Sequence, residues 1–276
     1  VNVITVDPNN QDVIYIGAPA GGIWKSTDGG VNWTPLSDEL LQIGVSAIAI
    51  DNRNSNVIYI GTGDDDAGDS YSIGLLKSTD GGTTWNPTGL SFTNNSSFIN
   101  EVYLDPSNQD KVFVSSNQGF YKSIDAGTNF TKTLNQNLND IKIKPWDSNV
   151  IYAVNDNDVY KSINNGDTFE LADTGLPVSS GRLALAVTAA NPNNVYVLSA
   201  ASNNSFQGIY LSTDNGANYT RLDDGSLDLF GGSTQAWYDM ALEVSDLNSN
   251  NIYIGVLDIY RSTNGGTSFS QWNSWS

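Results

Sequence analysis

The sequence predicts an all-β fold, a β-propeller built from four-stranded antiparallel blades. Three observations lead there. One octapeptide recurs six times at blade-like intervals. Short β-branched runs stand between clusters of Asn, Asp, Gly and Pro. No stretch shows the 3.6-residue periodicity of a helix.

The octapeptide reads Ser26 to Trp33, Ser78 to Trp85, Ser123 to Phe130, Ser162 to Phe169, Ser212 to Tyr219 and Ser262 to Phe269. Its form is Ser-x-Asp/Asn-x-Gly-x-x-aromatic, fixed by Ser26, Asp28, Gly30 and Trp33; Ser78, Asp80, Gly82 and Trp85; Ser123, Asp125, Gly127 and Phe130; Ser162, Asn164, Gly166 and Phe169; Ser212, Asp214, Gly216 and Tyr219; and Ser262, Asn264, Gly266 and Phe269. The opening serines are 52, 45, 39, 50 and 50 residues apart, the length of one four-stranded blade. The blades are expected at about 1–38, 39–91, 92–135, 136–175, 176–224 and 225–276, in one propeller domain or a fragment of one.

Each blade opens on an apolar strand that ends in a turn, as in Val3 to Pro8, Ala47 to Asp51, Val102 to Pro106 and Ile141 to Pro145. A second strand is rich in Tyr and β-branched residues: 13–16, 57–60, 112–114, 150–153, 195–197 and 252–254. A third runs into the octapeptide at 23–25, 75–77, 120–122, 159–161, 209–211 and 259–261, and the aromatic opens a fourth. Inside the octapeptide, the Asp or Asn side chain accepts bonds from backbone N–H groups ahead of it, and the Ser hydroxyl adds a local bond. The Gly supplies a positive φ. The aromatic fills the space between blades, burying roughly 150–250 Å². Six copies with Asp drifting to Asn describe a structural turn rather than a catalytic group.

Composition removes whole classes of chemistry. There is no Cys, hence no disulfide or thiolate, and no His, the commonest general base and zinc ligand. A net charge of −18 repels phosphate backbones and anionic headgroups, which argues against nucleic acid as a partner. No apolar run approaches the roughly 18 residues of a membrane span. The sequence opens at Val1 directly in strand-like pattern. It starts at an innermost strand and stops soon after its sixth octapeptide, so we expect a fragment, with one or more blades or a second propeller beyond it.

The octapeptide resembles the Asp box of BNR/Asp-box propellers, and the resemblance covers essentially the whole chain. That group includes sialidases, sortilin-type receptor domains, two-propeller xyloglucanases and photosystem assembly factors. Residues 48–64 together with Gly74 to Trp85 are most similar to the sortilin/xyloglucanase-type branch, and to large secreted Bacteroidetes proteins that end in a type IX secretion sorting domain. No sorting domain is visible in this sequence. The resemblance implies that the box lies between third and fourth strands, on the face opposite the ligand site. Loops between second and third strands, and those joining blades, would then carry function. It also implies a secreted or cell-surface protein.

Two places break the repeat. The loop from Gly61 to Ile73 packs Asp64, Asp65, Asp66 and Asp69 into six residues. Clustered carboxylates repel unless a cation or water relieves them, so they are candidate ligands for calcium, the one cofactor considered. Asp64, Asp65 and Asp66 are also the candidate catalytic carboxylates. The plain alternative is a solvated acidic loop. The spacing is not that of an EF-hand. Blade five carries the other break, with insertions at 200–207 and 223–238. Phe206, Trp237 and Tyr238, with Tyr71 of the acidic loop, are candidate ligand-face aromatics. The alternative has Trp237 and Tyr238 begin the next inner strand and simply pack. Arg182 could pair with an anionic ligand or be a plain surface arginine.

A sialidase would need three clustered arginines, a Tyr nucleophile and its Glu. Of the four arginines, Arg53, Arg182, Arg221 and Arg261, only Arg182 is suitably placed. A xyloglucanase-like endo-glucanase would need two carboxylates, one from each of two propellers. The sequence leads first to a non-catalytic extracellular binding or scaffold module. It would engage protein or polysaccharide ligands through the loops opposite the boxes, beside further domains of the same polypeptide. Part of a two-propeller glycoside hydrolase is the alternative.

Overall fold

A computed structural model describes residues 2–40, 43–64, 70–92, 96–223, 225 and 227–274. The fold is all-β: six four-stranded antiparallel sheets, the blades of a propeller, with one helical turn. Blade one is Val3–Asp7 (β1), Asn10–Ala18 (β2), Gly22–Ser26 (β3) and Thr34–Pro35 (β4). Blade two is Val45–Ile50 (β5), Ile58–Thr62 (β6), Leu75–Ser78 (β7) and Asn86–Pro87 (β8), and blade three is Ile99–Leu104 (β9), Val112–Ser116 (β10), Gly119–Ser123 (β11) and Thr131–Leu134 (β12). Blade four is Asp140–Ile143 (β13), Ile151–Val154 (β14), Val159–Ser162 (β15) and Glu170–Leu171 (β16). Blade five is Arg182–Val187 (β17), Val195–Ala200 (β18), Phe206–Ser212 (β19) and Thr220–Arg221 (β20). Blade six follows a helical turn at Ala236–Asp239 (α1), with Ala241–Val244 (β21), Ile252–Gly255 (β22), Ile259–Ser262 (β23) and Ser270–Asn273 (β24).

The chain forms two compact units, Val1–Asn137 with blades one to three and Leu138–Ser276 with blades four to six. Within each, every sheet is a simple meander. Strand direction therefore alternates. The first–second and third–fourth turns share one edge of a blade, while second–third loops and exits from the fourth strand share the other. Apolar clusters fill the seams between blades. Tyr15, Ile23, Val45, Ile58, Ile60 and Leu76 lock blades one and two, and Tyr59, Leu75, Ile99, Val112 and Val114 lock two and three. In the second unit, Tyr152, Val159, Leu185 and Val197 join four to five, and Leu198, Ile209, Phe230, Leu242 and Ile254 join five to six.

The box is a small hydrogen-bonded knot that recurs in all six blades with the same serine bonds. In blade two, the buried Ser78 hydroxyl accepts from Gly82 N at 2.9 Å and donates to Asp80 Oδ1 at 2.8 Å. Asp80 Oδ1 also accepts from Thr84 N at 2.9 Å, and Oδ2 accepts the Thr84 hydroxyl at 2.7 Å. Where the box holds Asn, the last bond reverses. Asn164 Nδ2 donates to Thr168 Oγ1 and Asn264 Nδ2 to Ser268 Oγ, both at 2.9 Å. Asp28, Asp125 and Asp214 are matched instead by amide donors on Asn32, Asn129 and Asn218.

The fourth box residue also takes a positive φ, beside the fifth-position Gly: Ala126 at 56°, Asn165 at 62° and Asn215 at 60°. Gly127 is required twice over. Its φ is 87°, and a Cβ there would meet Tyr59 Cε1 of the preceding blade at 3.3 Å. The aromatic precedes the fourth strand rather than opening it, since β4 begins at Thr34, after Trp33.

Candidate functional site

Among the described acidic-loop residues, Asp64 is 2% exposed, just past the end of β6. Asn2 Nδ2 donates to its Oδ1 at 3.3 Å, so a blade-one side chain meets the loop. The backbone there is tightly fitted. Gly63 N donates to Gly44 O at 3.0 Å, and a Cβ on Gly44 would lie 2.2 Å from Ser70 Oγ. A clamp ties the ends of the loop together. Thr62 Oγ1 donates to Gly74 O at 2.6 Å, sits 3.1 Å from Ser72 Oγ and accepts from Ile73 N at 2.9 Å. Tyr71 is 57% exposed and bridges in parallel to Ile43. Asp65, Asp66 and Asp69 lie outside the described residues. Among the described residues, no group of three or more carboxylates or other metal-ligating side chains is placed to hold a metal ion.

The second unit gathers a different set on the loop edge of blades five and six. The segment after blade five folds down and is anchored by Leu229, Phe230, Ala236 and Met240 in the seam. Phe206 packs edge-on against Phe230, with ring centroids 5.2 Å apart. Trp237 and Tyr238 do not begin the inner strand, which starts at Ala241; they lie on the α1 turn. Their rings meet at 4.4 Å and 63°, and Trp237 stays 50% exposed because its neighbours anchor the turn instead. Arg182, at the start of β17, donates through a guanidinium nitrogen to Trp237 O, bracing the turn.

Asp239, next along α1, has no signature in the sequence. Burial pushes its carboxyl above the usual range, with Arg182 opposing, and Oδ1 is buried without a partner. A buried acceptor in this state is suited to a ligand hydroxyl or to holding a proton.

The box edge differs chemically. A cleft of about 450 Å³ opens where blades two and three meet, lined by Lys77, Thr88, Gly89 and Gly127 among others, with no carboxylate in its lining. The box carboxylates are held strongly acidic. Asp80 falls to about 2, chiefly through the Thr84 N–H and hydroxyl, and Asp28, Asp125 and Asp214 are lowered in the same way by Asn32, Asn129 and Asn218. Groups so firmly ionised hold turns and cannot supply protons near neutral pH.

No family model matches the chain. Its curated relatives are named as xyloglucanases. It is 31% identical over 104 residues to the xyloglucanase Xgh74A of Acetivibrio thermocellus, covering 30% of this chain and 12% of the enzyme. It is 26% identical over 142 residues to a Paenibacillus xyloglucanase, covering 47% of this chain and 14% of the enzyme.

The chain resembles xyloglucanases. It spans about an eighth of the length of the curated relatives it matches. Solved structures agree on the fold. An ancestral GH74 enzyme superposes with a TM-score of 0.72 at 22% identity, covering 99% of this chain and 40% of that one. The GH74 enzyme of Niastella koreensis gives 0.71 at 18%, covering 99% and 45%. YCF48 from Cyanidioschyzon merolae gives 0.67 at 13%, covering 97% and 83%. Among the described residues, no helix is long and apolar enough to cross a membrane.

Proposed function

We propose that this propeller is part of a glycoside hydrolase that cleaves xyloglucan or a related β-glucan. The similarity to xyloglucanases from two organisms carries the reading, and it outweighs the non-catalytic module to which composition and motifs led first. Glycosidic cleavage asks for two carboxyl groups across the scissile bond. One gives its proton to the leaving oxygen, and the other attacks the anomeric carbon or activates water. We assign Asp64 to the charged role. It stands on a clamped loop between second and third strands, its carboxylate fixed by Asn2 and its backbone by Gly44. The second carboxyl would come from a second propeller, and the exposed Tyr71 suits stacking on a sugar ring. A polymer of that size is met outside the cell, so a secreted or cell-surface location is part of the proposal. Calcium on Asp64, Asp65, Asp66 and Asp69, bracing the acidic loop, is a further part.

The test is release of reducing sugar from xyloglucan, mixed-linkage β-glucan and cellulose by the full-length polypeptide. Activity on xyloglucan that falls at least about a hundredfold in Asp64→Asn supports the assignment. Full activity in Asp64→Asn, Asp65→Asn and Asp66→Asn removes these carboxylates from the mechanism. No activity on any of the polymers, with binding retained, returns the protein to the module reading. For calcium, the melt is repeated with Ca²⁺ and with chelator, and an unmoved Tm defeats that part.

A further inference from the structure

In the first unit, polar contacts between blades are made from the strands. Lys25 Nζ and Tyr15 Oη donate to Gly81 O at 3.3 and 3.5 Å, and Lys77 Nζ and Tyr59 Oη to Ala126 O at 3.2 and 2.9 Å. Blade four adds a contact from its first–second turn. Lys144 Nζ reaches Asn193 Oδ1 at 3.1 Å and also Asn215 Oδ1, both in blade five. Asp147 N donates back to Lys144 O at 3.1 Å, closing a turn with Pro145 second and Trp146 third. Pro second and a positive φ third mark a type II turn, whose third place belongs to Gly or Asn. Trp146 holds that place at φ 67°. A bulky residue there is strained, and such strain gathers at functional sites. Asn9, Arg53 and Ser107 occupy the matching place in blades one to three, and none of them has a positive φ.

The turn is braced as well as strained. The box of the same blade grips it: Asn165 N donates to Asn149 O and Asn165 Nδ2 to Ser148 O, each at 2.8 Å. What the turn presents is one indole, 86% exposed, so its own unit covers almost none of it. Among the described residues, its N–H has no acceptor and no ring or cation stacks on its face. Beside it, Asp147 Oδ1 accepts from Asn149 N at 3.2 Å and from Asn149 Nδ2 at 3.1 Å, which leaves Oδ2 as an acceptor. A sugar ring offers an apolar face to stack and hydroxyls to satisfy. A flat, pre-placed indole with its own N–H and a neighbouring carboxylate oxygen answers both. We infer that Trp146 is the platform of a glycan-binding site on the box edge of blade four, the edge opposite the loops. Its ligand is a neutral β-glucan chain, and the choice of that polymer rests on the hydrolase reading above. The net charge of −18 disfavours an anionic glycan or a nucleic acid. A protein partner would ask for an apolar interface core, and the residues that follow the indole, Asp147, Ser148 and Asn149, are all polar.

The test is affinity electrophoresis of the 276-residue chain in native gels cast with xyloglucan, with mixed-linkage β-glucan or with no polymer. Xyloglucan is expected to retard the chain. Trp146→Gly should weaken that retardation at least about fivefold. Its Tm should be unchanged or raised, since glycine suits the turn. Trp146→Phe, which keeps a flat ring, should retain most of the retardation. Equal retardation of the wild-type chain and Trp146→Gly overturns the inference, as does a loss in Trp146→Phe as complete as in Trp146→Gly. So does a Tm several degrees lower in Trp146→Gly, which would make the indole part of the packing. No retardation in any glucan gel also overturns it; self-association that Trp146→Gly abolishes would then make the turn a protein-docking surface. The hydrolase reading fails separately. Retardation that Trp146→Gly removes, with no sugar released by the full-length polypeptide, supports this site and rejects that reading.

Discussion

Ser78 shows how much of the turn chemistry rests on one hydroxyl. It is fully buried and serves the Gly82 N–H and the Asp80 carboxylate at once. Ser78→Ala leaves both without that partner and is expected to destabilise the chain by about 1–3 kcal/mol in a denaturant titration, with polysaccharide binding unchanged. At Ala126 the sign is opposite. An L residue is held at φ 56°, a conformation that costs about 1–2 kcal/mol, of which glycine's greater unfolded freedom returns part. Ala126→Gly is therefore expected to raise the melting temperature.

Protonation belongs to the same scale. The Asp80 carboxyl titrates at about 2 when folded, below the usual carboxylate range. A depressed carboxyl contributes stability above its unfolded pKa, about 3.9, and loses it as pH falls through the folded value. Stability should be level from neutral pH to about 5 and then decline toward pH 2. Asp80→Asn should flatten part of that decline at little cost at neutral pH, since Thr84 can accept from an Asn as Thr168 and Ser268 already do. An unchanged acid limb in Asp80→Asn would show that the box carboxylates do not set it.

The strands were legible because β-branched and aromatic runs leave a half-buried sheet few alternatives, and the octapeptides because turn chemistry is local. Long-range roles were not. The lysine before the box serine recurs at 25, 77, 122 and 161, yet its purpose appears only when the next blade brings a carbonyl to it. Trp237 and Tyr238 read as strand because aromatic residues favour strands, but the anchoring of Phe230, Ala236 and Met240 decided for a helical turn. Asp239 carried no signal, since its altered acidity is a product of that packing.

One first–second turn departs from its siblings for a visible reason. Asp7, Asp51 and Asp105 each accept the N–H two residues on, at 2.8, 2.9 and 2.8 Å. In blade four that place is Lys144, whose ammonium instead reaches Asn193 and Asn215 of blade five. Trp146, two residues on, lacks the side-chain acceptor and sits at φ 67°, 86% exposed. At seam level, Tyr59→Phe removes the hydroxyl bond to Ala126 O while keeping the ring, and should cost about 1 kcal/mol in the same titration. Gly127→Ala should cost about 1–3 kcal/mol, for its φ and for the Tyr59 ring it would press.

For the molecule as a whole, the absence of His and Cys leaves carboxylates, tyrosines and the two basic residue types to do any chemistry. The buried tyrosines are poor candidates, since burial pushes Tyr59, Tyr152 and Tyr219 far above their ordinary range. Any acid–base group that this chain itself contributes should be a carboxylate.

The seam contacts also have a direction in time. Synthesis runs from the N-terminus, so Tyr15 and Lys25 leave the ribosome about fifty residues before Gly81 supplies their acceptor, and Tyr59 and Lys77 wait similarly for Ala126. Each newborn blade therefore spends a few seconds with its donors bare and a Tyr ring in water. A nascent chain stalled between two boxes would show its last blade to chaperones and proteases, and the arrival of the next turn would be the event that hides it.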